Sequence, residues 1–255
     1  MSGKESAKAK HVIMLGALSA IGEATARFYA VDGAKLLLAA RDEERLTQVA
    51  GDLKARGACD CVIWPRDLSA PGITADYAKM VEALDGQVDA VLLFYGMLGD
   101  QRQAEQDPAL LNDIMSINFT SAAEWAVAAA NQLERQGNGI LVAISSVAGD
   151  RGRQSNYAYG AAKAGLTTLI EGIAHRLAPS GAKAVALKLG FVDTPMTAHI
   201  DKGGPLWSKP DKIAGMIKAV ADSPRKPLVY IPWFWRWIML VIRNVPTAIF
   251  HKTKL

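Results

Sequence analysis

The sequence predicts an α/β fold: one domain on a doubly wound parallel sheet of about seven strands, with helices on both faces. Apolar runs of strand length alternate with segments of helical period along most of the chain. The strand runs are nearly continuous in apolar character, as in a parallel sheet covered on both sides. The 255 residues, 50% of them hydrophobic and 21% charged, are enough to bury one large core.

Residues 11–16 read as the first strand, followed by a helix over 20–32 with Ala24, Phe28 and Val31 on one face. The second strand, 35–40, is closed by Arg41-Asp42, and Asp42 is placed to N-cap a helix running to about residue 55. Cys59 and Cys61 fall at i, i+2 in the third strand, 59–64. They share one strand face, are too few for a zinc site, and read as buried cysteines of a reducing compartment. A helix over 73–84 leads to a fourth strand, 89–95, which Gly96 ends. The long helix 108–136 opens on Pro108 and stops at Gly137-Asn138-Gly139. Strand 140–145, helix 156–178, strand 182–189, helix 210–221 and a short strand 227–231 complete the domain. Residues 1–10 read as a flexible basic terminus, 11–231 as the domain, and 232–255 as a separate Trp-rich tail.

A net charge of +4, without an interleaved basic and aromatic pattern, gives no reason to expect a nucleic-acid partner. No metal site is expected. The polar, lysine-rich start reads against a secretory signal, and no run reaches the ~18 apolar residues of a membrane span. A cytoplasmic protein is expected.

In a sheet of this kind ligands bind beyond the carboxyl ends of the strands. The first strand runs into Gly16-Ala-Leu-Ser-Ala-Ile-Gly22 and then a helix. Such a turn either offers backbone N–H groups and a helix N-terminus to a pyrophosphate or merely joins strand to helix. The second strand ends on Ala40 and Arg41, not on the carboxylate that holds the ribose hydroxyls of NAD. Alanine leaves room for a 2′-phosphate that Arg41 can hold, so NADP(H) is expected over NAD(H); otherwise Arg41 is a solvated loop cation. Asp67 either bonds an adenine amine or caps a turn.

Tyr159 and Lys163 lie four apart on a helix and share one face. A free phenol ionises near pH 10, and two close cations, the ammonium and an oxidised nicotinamide, are expected to draw it about three units lower. Ser146 ends the fifth strand thirteen residues earlier, where its hydroxyl can bond a substrate oxygen. Ser145 should point to the opposite side, and Tyr157 lacks a lysine four residues on. Asn118 is either a surface residue or binds a water leading to Lys163.

Taken together, from His11 to the C-terminus, the chain resembles the short-chain dehydrogenase/reductase family, with its Rossmann-type sheet. The matching elements are Gly16 to Gly22, Asp67, Gly96, Asn118, Ser146, Tyr159, Lys163 and Gly190-Phe-Val-Asp-Thr194. The resemblance implies that Tyr159 donates or accepts the proton, Ser146 orients the carbonyl, and Asn118 completes a relay. It implies that Lys163 binds the nicotinamide ribose and acidifies Tyr159, and that Val192 and Thr194 anchor the carboxamide. It implies a cofactor-binding set of Gly16, Leu18, Ser19, Ile21, Gly22, Arg41, Asp67, Leu68 and Gly96, with the glycine turn at the pyrophosphate. Three positions depart: Ala20 replaces a glycine, Leu93-Phe94-Tyr95-Gly96 replaces Asn-Asn-Ala-Gly, and Leu189 replaces a proline. Residues 95–100, 146–151 and 196–199 and the tail are similar to the decaprenylphosphoryl-2-keto-pentose reductase branch, which reduces a keto sugar on a polyprenyl phosphate.

From Pro224 onward there are six Lys/Arg, three tryptophans and no Asp or Glu. On a helix over 233–243, Arg236 and Arg243 form one stripe, with Phe234, Trp235, Trp237, Ile238, Val241 and Ile242 over the opposite half. That composition suits a helix lying in a membrane surface, or one packed on the protein itself or a neighbouring subunit. The reading is thus an NADP(H)-dependent reductase of an amphiphilic or lipid-linked carbonyl compound; the family resemblance implies a dimer or tetramer assembled through helices 108–136 and 156–178. A generic ketone, steroid or fatty-acyl reductase, a non-catalytic NADP(H) sensor and a membrane-surface scaffold are the other readings.

Overall fold

The computed structural model describes residues 9–198, 200–201 and 204–253. Most of the basic N-terminal segment and His199 lie outside them. In chain order the elements are β1 (His11–Leu15), α1 (Ala20–Val31), β2 (Lys35–Ala40), α2 (Glu43–Ala55), β3 (Asp60–Pro65), α3 (Ile73–Ala83) and β4 (Ala90–Leu93). Then come α4 (Gln101–Ala104), α5 (Pro108–Met115), a π-helical turn (Ser116–Thr120), α6 (Ser121–Gln136), β5 (Ile140–Ser146) and α7 (Tyr157–Leu177). The chain ends with β6 (Lys183–Leu189), α8 (Pro210–Asp222), β7 (Leu228–Ile231), α9 (Trp235–Asn244) and α10 (Thr247–Phe250).

The seven strands pair in parallel in the order β3-β2-β1-β4-β5-β6-β7, so the direction of winding reverses between β1 and β4. Val12, Met14, Leu36 and Leu38 enter the core layer under α1, α2 and α8. Their neighbours Ile13, Leu15, Leu37 and Ala39 enter the layer under α3, α6 and α7. The strands are therefore buried on both faces, which is why their sequences show no alternation.

Local chemistry sets most boundaries as expected. Asp42 caps α2 through the Arg45 N–H at 3.0 Å, and Gly137 ends α6 in the left-handed region at φ 72°. Two readings change. Phe28 and Val31 are exposed, and α1 buries Ala26, Tyr29 and Ala30 instead; α8 packs over that face, with Lys218 Nζ 4.7 Å from the centre of the Tyr29 ring. Cys59 precedes β3 and is exposed, whereas Cys61 is buried, so the two thiols do not share a buried strand face.

Candidate active site

β1 delivers the chain into the turn before α1. Gly16 holds φ +84°, and a Cβ there would stand 2.6 Å from the Tyr95 backbone nitrogen, so the turn can press against the end of β4 only with glycine. Ser19 N-caps α1, its Oγ accepting from the Gly22 N–H at 3.1 Å. Ala20 opens the right-handed helix without a positive φ, so the departure from glycine strains nothing.

Two adjoining cavities lie at the carboxyl ends of the strands, across the β1/β4 reversal, where such sheets take ligands. One, of about 430 Å³, takes Leu18, Ser19, Ile21, Ser146, Tyr159, Lys163, Val192 and Thr194 into its walls. The other, of about 600 Å³, takes Gly16, Arg41, Asp67 and Leu68. Gly96 belongs to both. Gly22 and Asn118 stand behind these walls.

Arg41 is exposed and makes no hydrogen bond or ion pair among the described residues. Nearby Arg66 is committed to Asp76 and to the Ala70 and Pro71 carbonyls. Asp67 does cap a turn: its Oδ1 accepts from the Ser69 N–H at 2.9 Å and hydroxyl at 2.7 Å. Those bonds, with Arg41 and Arg66 beyond them, hold its carboxyl below the usual range. The Leu68 carbonyl receives the Trp125 indole N–H at 2.9 Å. That of Val192 receives the Thr197 hydroxyl at 2.8 Å.

The catalytic candidates converge from three elements. α7 carries Tyr159 and Lys163, and β5 ends on Ser146, whose Oγ accepts from the Ala148 N–H at 3.1 Å. Ser145 turns the other way, to the Lys163 carbonyl and the Thr167 hydroxyl. Lys163 is buried, donates to the Ile144 carbonyl at 3.0 Å, and lies 5.7 Å from the centre of the Tyr159 ring. Asn118 is no surface residue. It is fully buried on the π-helical turn, donating to the Met97 and Ile114 carbonyls and accepting from the Met97 N–H at 3.2 Å. The extra residue of that turn breaks the long helix into α5 and α6 and aims Asn118 inward. A Cβ on Gly96 would stand 2.6 Å from Asn118 Oδ1 and 3.4 Å from Lys163 Nζ, so glycine there lets β4's end meet both.

The expected acidification of Tyr159 is not what the chain produces alone. Burial pushes its phenol up to about 12, and a hydrogen bond with Ser146 draws it back only in part. Burial likewise pulls the Lys163 ammonium down to about 8. The Lys163 ammonium is directed at the Ile144 carbonyl, and desolvation sets the direction of the Tyr159 shift.

Several wall residues escaped the sequence reading. Arg45, one turn into α2, lines the catalytic cavity beside Ser19 and bonds Glu23 at 3.2 Å. Arg153, Asn156, Phe191, Met196 and Ile200 close the other side. Phe191 and Met196 fall in the 190–194 and 196–199 segments already singled out, whereas Arg45, Arg153, Asn156 and Ile200 carried no local signal.

The tail helix packs on its own protein. Trp235 and Met239 are buried with Val147, flanked by Phe191, Phe234, Ile238 and Ile242. Arg151 donates to the Ile242 and Val245 carbonyls at 2.6 and 2.7 Å, closing the C-terminal end of α9. The remaining apolar side chains, Trp233, Trp237, Leu240 and Val241, are exposed on the same side as Arg236 and Arg243. The two stripes expected on opposite halves therefore divide differently.

Comparison with known proteins identifies the family. Residues 10–204 match the short chain dehydrogenase family. An uncharacterized oxidoreductase of Mycobacterium tuberculosis (strain H37Rv) is 33% identical over 245 residues, covering 94% of this chain and 96% of the relative. A second, from Streptomyces coelicolor, is 32% identical over 244 residues, covering 95% of each chain. Among solved structures, a short-chain dehydrogenase from Sphingobium yanoikuyae in complex with NADPH superposes with a TM-score of 0.80 at 25% identity, covering 94% and 97%. An actinorhodin polyketide ketoreductase variant with NADPH gives 0.79 at 23%, covering 93% and 98%, a likeness of fold. The chain belongs to the short-chain dehydrogenase family and is an oxidoreductase of its NAD(P)-dependent class. The residues present fit a nicotinamide dinucleotide: Gly16 lets the turn before α1 close on the end of β4, two cavities open side by side at the carboxyl ends of the strands, and Arg41, without a hydrogen bond or ion pair among the described residues, lines one of them.

Proposed function

We propose that the protein is an NADP(H)-dependent reductase of an amphiphilic ketone, with Tyr159 as proton donor. The observation that carries this reading is one cavity shared by the Ser146 hydroxyl, the Tyr159 phenol and the buried Lys163 ammonium. Bound nicotinamide supplies the hydride. Ser146 donates a hydrogen bond to the substrate carbonyl oxygen, and Tyr159 passes its proton to that oxygen as it becomes an alkoxide. A phenol held protonated by burial suits the reducing direction. Lys163 stabilises the phenolate left behind and holds the ribose, and Asn118, by fixing Met97 next to Gly96, supports the relay that restores the proton. Leu18, Ser19 and Ile21, with Gly16 and Gly22 shaping the turn, would meet the pyrophosphate. Arg41 would meet the 2′-phosphate, with Asp67 and Leu68 at the adenine, and Val192 and Thr194 would hold the carboxamide. The neighbour in complex with NADPH supports the choice of coenzyme.

The substrate side is mostly apolar, with Leu98, Val147, Phe191, Met196 and Ile200 in its wall, and supports a lipid-linked carbonyl compound such as a polyprenylphosphoryl 2-keto-pentose. The exposed face of α9, with Trp237 and Leu240 about half exposed beside Arg236 and Arg243, supports contact with the cytoplasmic membrane surface. Leu111, Val127 and Tyr157, exposed on the long helices, support pairing of subunits there, which light scattering would test. A sensor without turnover has no use for Tyr159 beside Ser146. NADPH oxidation should be followed over a panel of ketones including that keto sugar. Tyr159→Phe should bind NADPH normally and lose roughly 10²–10⁴-fold in kcat; equal turnover would remove Tyr159 from the reaction.

A further inference from the structure

Two arginines on the loop after β5 meet different fates. Arg151 is satisfied by carbonyls of the α9 end and lies 3.7 Å over the Phe250 ring. Arg153 is 9% exposed, lines the catalytic cavity with Ser146 and Tyr159, and has no carboxylate within ion-pair distance among the described residues. Its Nη2 reaches only the Met239 sulfur at 3.4 Å, and its Nε has no partner. The nearest candidate counter-ion, Asp150, is already taken by Lys188 and by the Tyr230 hydroxyl at 2.8 Å. Asn156, on the same wall, also leaves its buried Oδ1 unpartnered; rotating that amide would present a donor instead.

A guanidinium stripped of water without a counter-ion is costly, and buried cations are ordinarily paired. Burial accordingly lowers the Arg153 pKa, with Asp150 only partly opposing. A neutral carbonyl would satisfy the Nε hydrogen bond but leave the charge uncompensated. An oxyanion satisfies both, through the planar fork of donors.

We propose that Arg153 is the anion-binding residue of the substrate pocket, so that the ketone reduced here carries a phosphate or carboxylate. This rests on the reductase reading above and narrows its substrate class. A phosphoester beside the keto carbon of a lipid-linked sugar meets the requirement, as does a keto acid.

The test pairs ketones that differ in charge: dihydroxyacetone phosphate against dihydroxyacetone, and acetoacetate against its methyl ester, with saturating NADPH. Wild type should favour at least one anionic member by roughly 10–100-fold in kcat/KM, the size of one charge-assisted hydrogen bond. The pair that shows the preference tells phosphate from carboxylate. Arg153→Met should abolish that preference, lowering kcat/KM for the anionic member by roughly 10-fold or more relative to its neutral partner. Because it removes an unpaired buried charge, the substitution should also leave the melting temperature unchanged or raised, whereas a structural arginine would lower it. A preference that survives in Arg153→Met, or a wild type that favours the neutral ketones, overturns the proposal. Binding is read separately: with NADPH bound, inorganic phosphate should raise the melting temperature of wild type and not of Arg153→Met. An equal rise in both also overturns it. If no ketone is reduced yet phosphate acts through Arg153, the hydride-transfer reading fails and the anion site stands.

Discussion

Replacing Gly190 with alanine drives a methyl carbon into the Trp235 indole. An ideal Cβ on Gly190 stands 1.8 Å from Trp235 Nε1, 2.0 Å from Cε2 and 2.4 Å from Cδ1, where carbon contacts settle at about 3.5–4.0 Å. The ring has little room to yield. It is 2% exposed, set edge-on to Phe191 at 5.3 Å and against Phe234 at 6.1 Å, with Val147 and Met239 in the same cluster. Overpacking a core costs about 1–3 kcal/mol, and expelling a tryptophan of roughly 200 Å² forfeits about 5 kcal/mol. Gly190→Ala should therefore destabilise by about 2–4 kcal/mol and lower Tm by roughly 5–15 °C. Trp235→Ala alone should cost about 3–5 kcal/mol, but it vacates the space the new methyl needs. The double variant should then be no less stable than Trp235→Ala, giving a coupling of about 2–4 kcal/mol. Urea unfolding followed by far-ultraviolet circular dichroism measures all four proteins. Simple additivity, or a Gly190→Ala protein as stable as wild type, refutes the claim that this glycine exists to seat the tail helix.

Lys163 gives a pH signature. Its folded pKa of about 8 lies below the unfolded 10.5, so between these values the unfolded chain binds more protons and stability rises with pH. Wild type should gain up to about 3 kcal/mol relative to Lys163→Met across that window; a constant difference from pH 7 to 10 would contradict the buried, unpaired ammonium. Arg41→Ala should weaken NADPH binding by roughly 10–100-fold and leave NADH unchanged, read by nicotinamide fluorescence. Trp237→Glu and Leu240→Glu alter exposed side chains, so they should leave Tm within a degree or two of wild type, roughly the effect of a surface change. Both should abolish flotation with vesicles containing anionic lipid; retention of binding would free α9 from that role.

The sheet was legible in the chain because burial on both faces writes itself as uninterrupted apolar runs, and caps such as Asp42 and Gly137 fix helix ends by local bonds. The spacing of Tyr159 and Lys163 was legible because four residues return a helix to the same face. What escaped were relations between distant segments. Periodicity marked Phe28 as apolar, but only the packing of α8 decided that α1 buries Tyr29 and Ala30 instead.

The same division runs through the site. The sequence by itself determined the succession of strands and helices along the chain, the glycine turn and the spacing of Tyr159 and Lys163, because each depends on neighbours within a turn or a strand. Only the tertiary structure decided that Asn118 faces inward on a π-helical turn, that burial raises the Tyr159 phenol, and that Trp235 lies on Gly190. It alone left Arg153 buried without a counter-ion among the described residues. Burial, electrostatic balance and close approach depend on groups far apart in the chain, and no local pattern of residues encodes the distance between them.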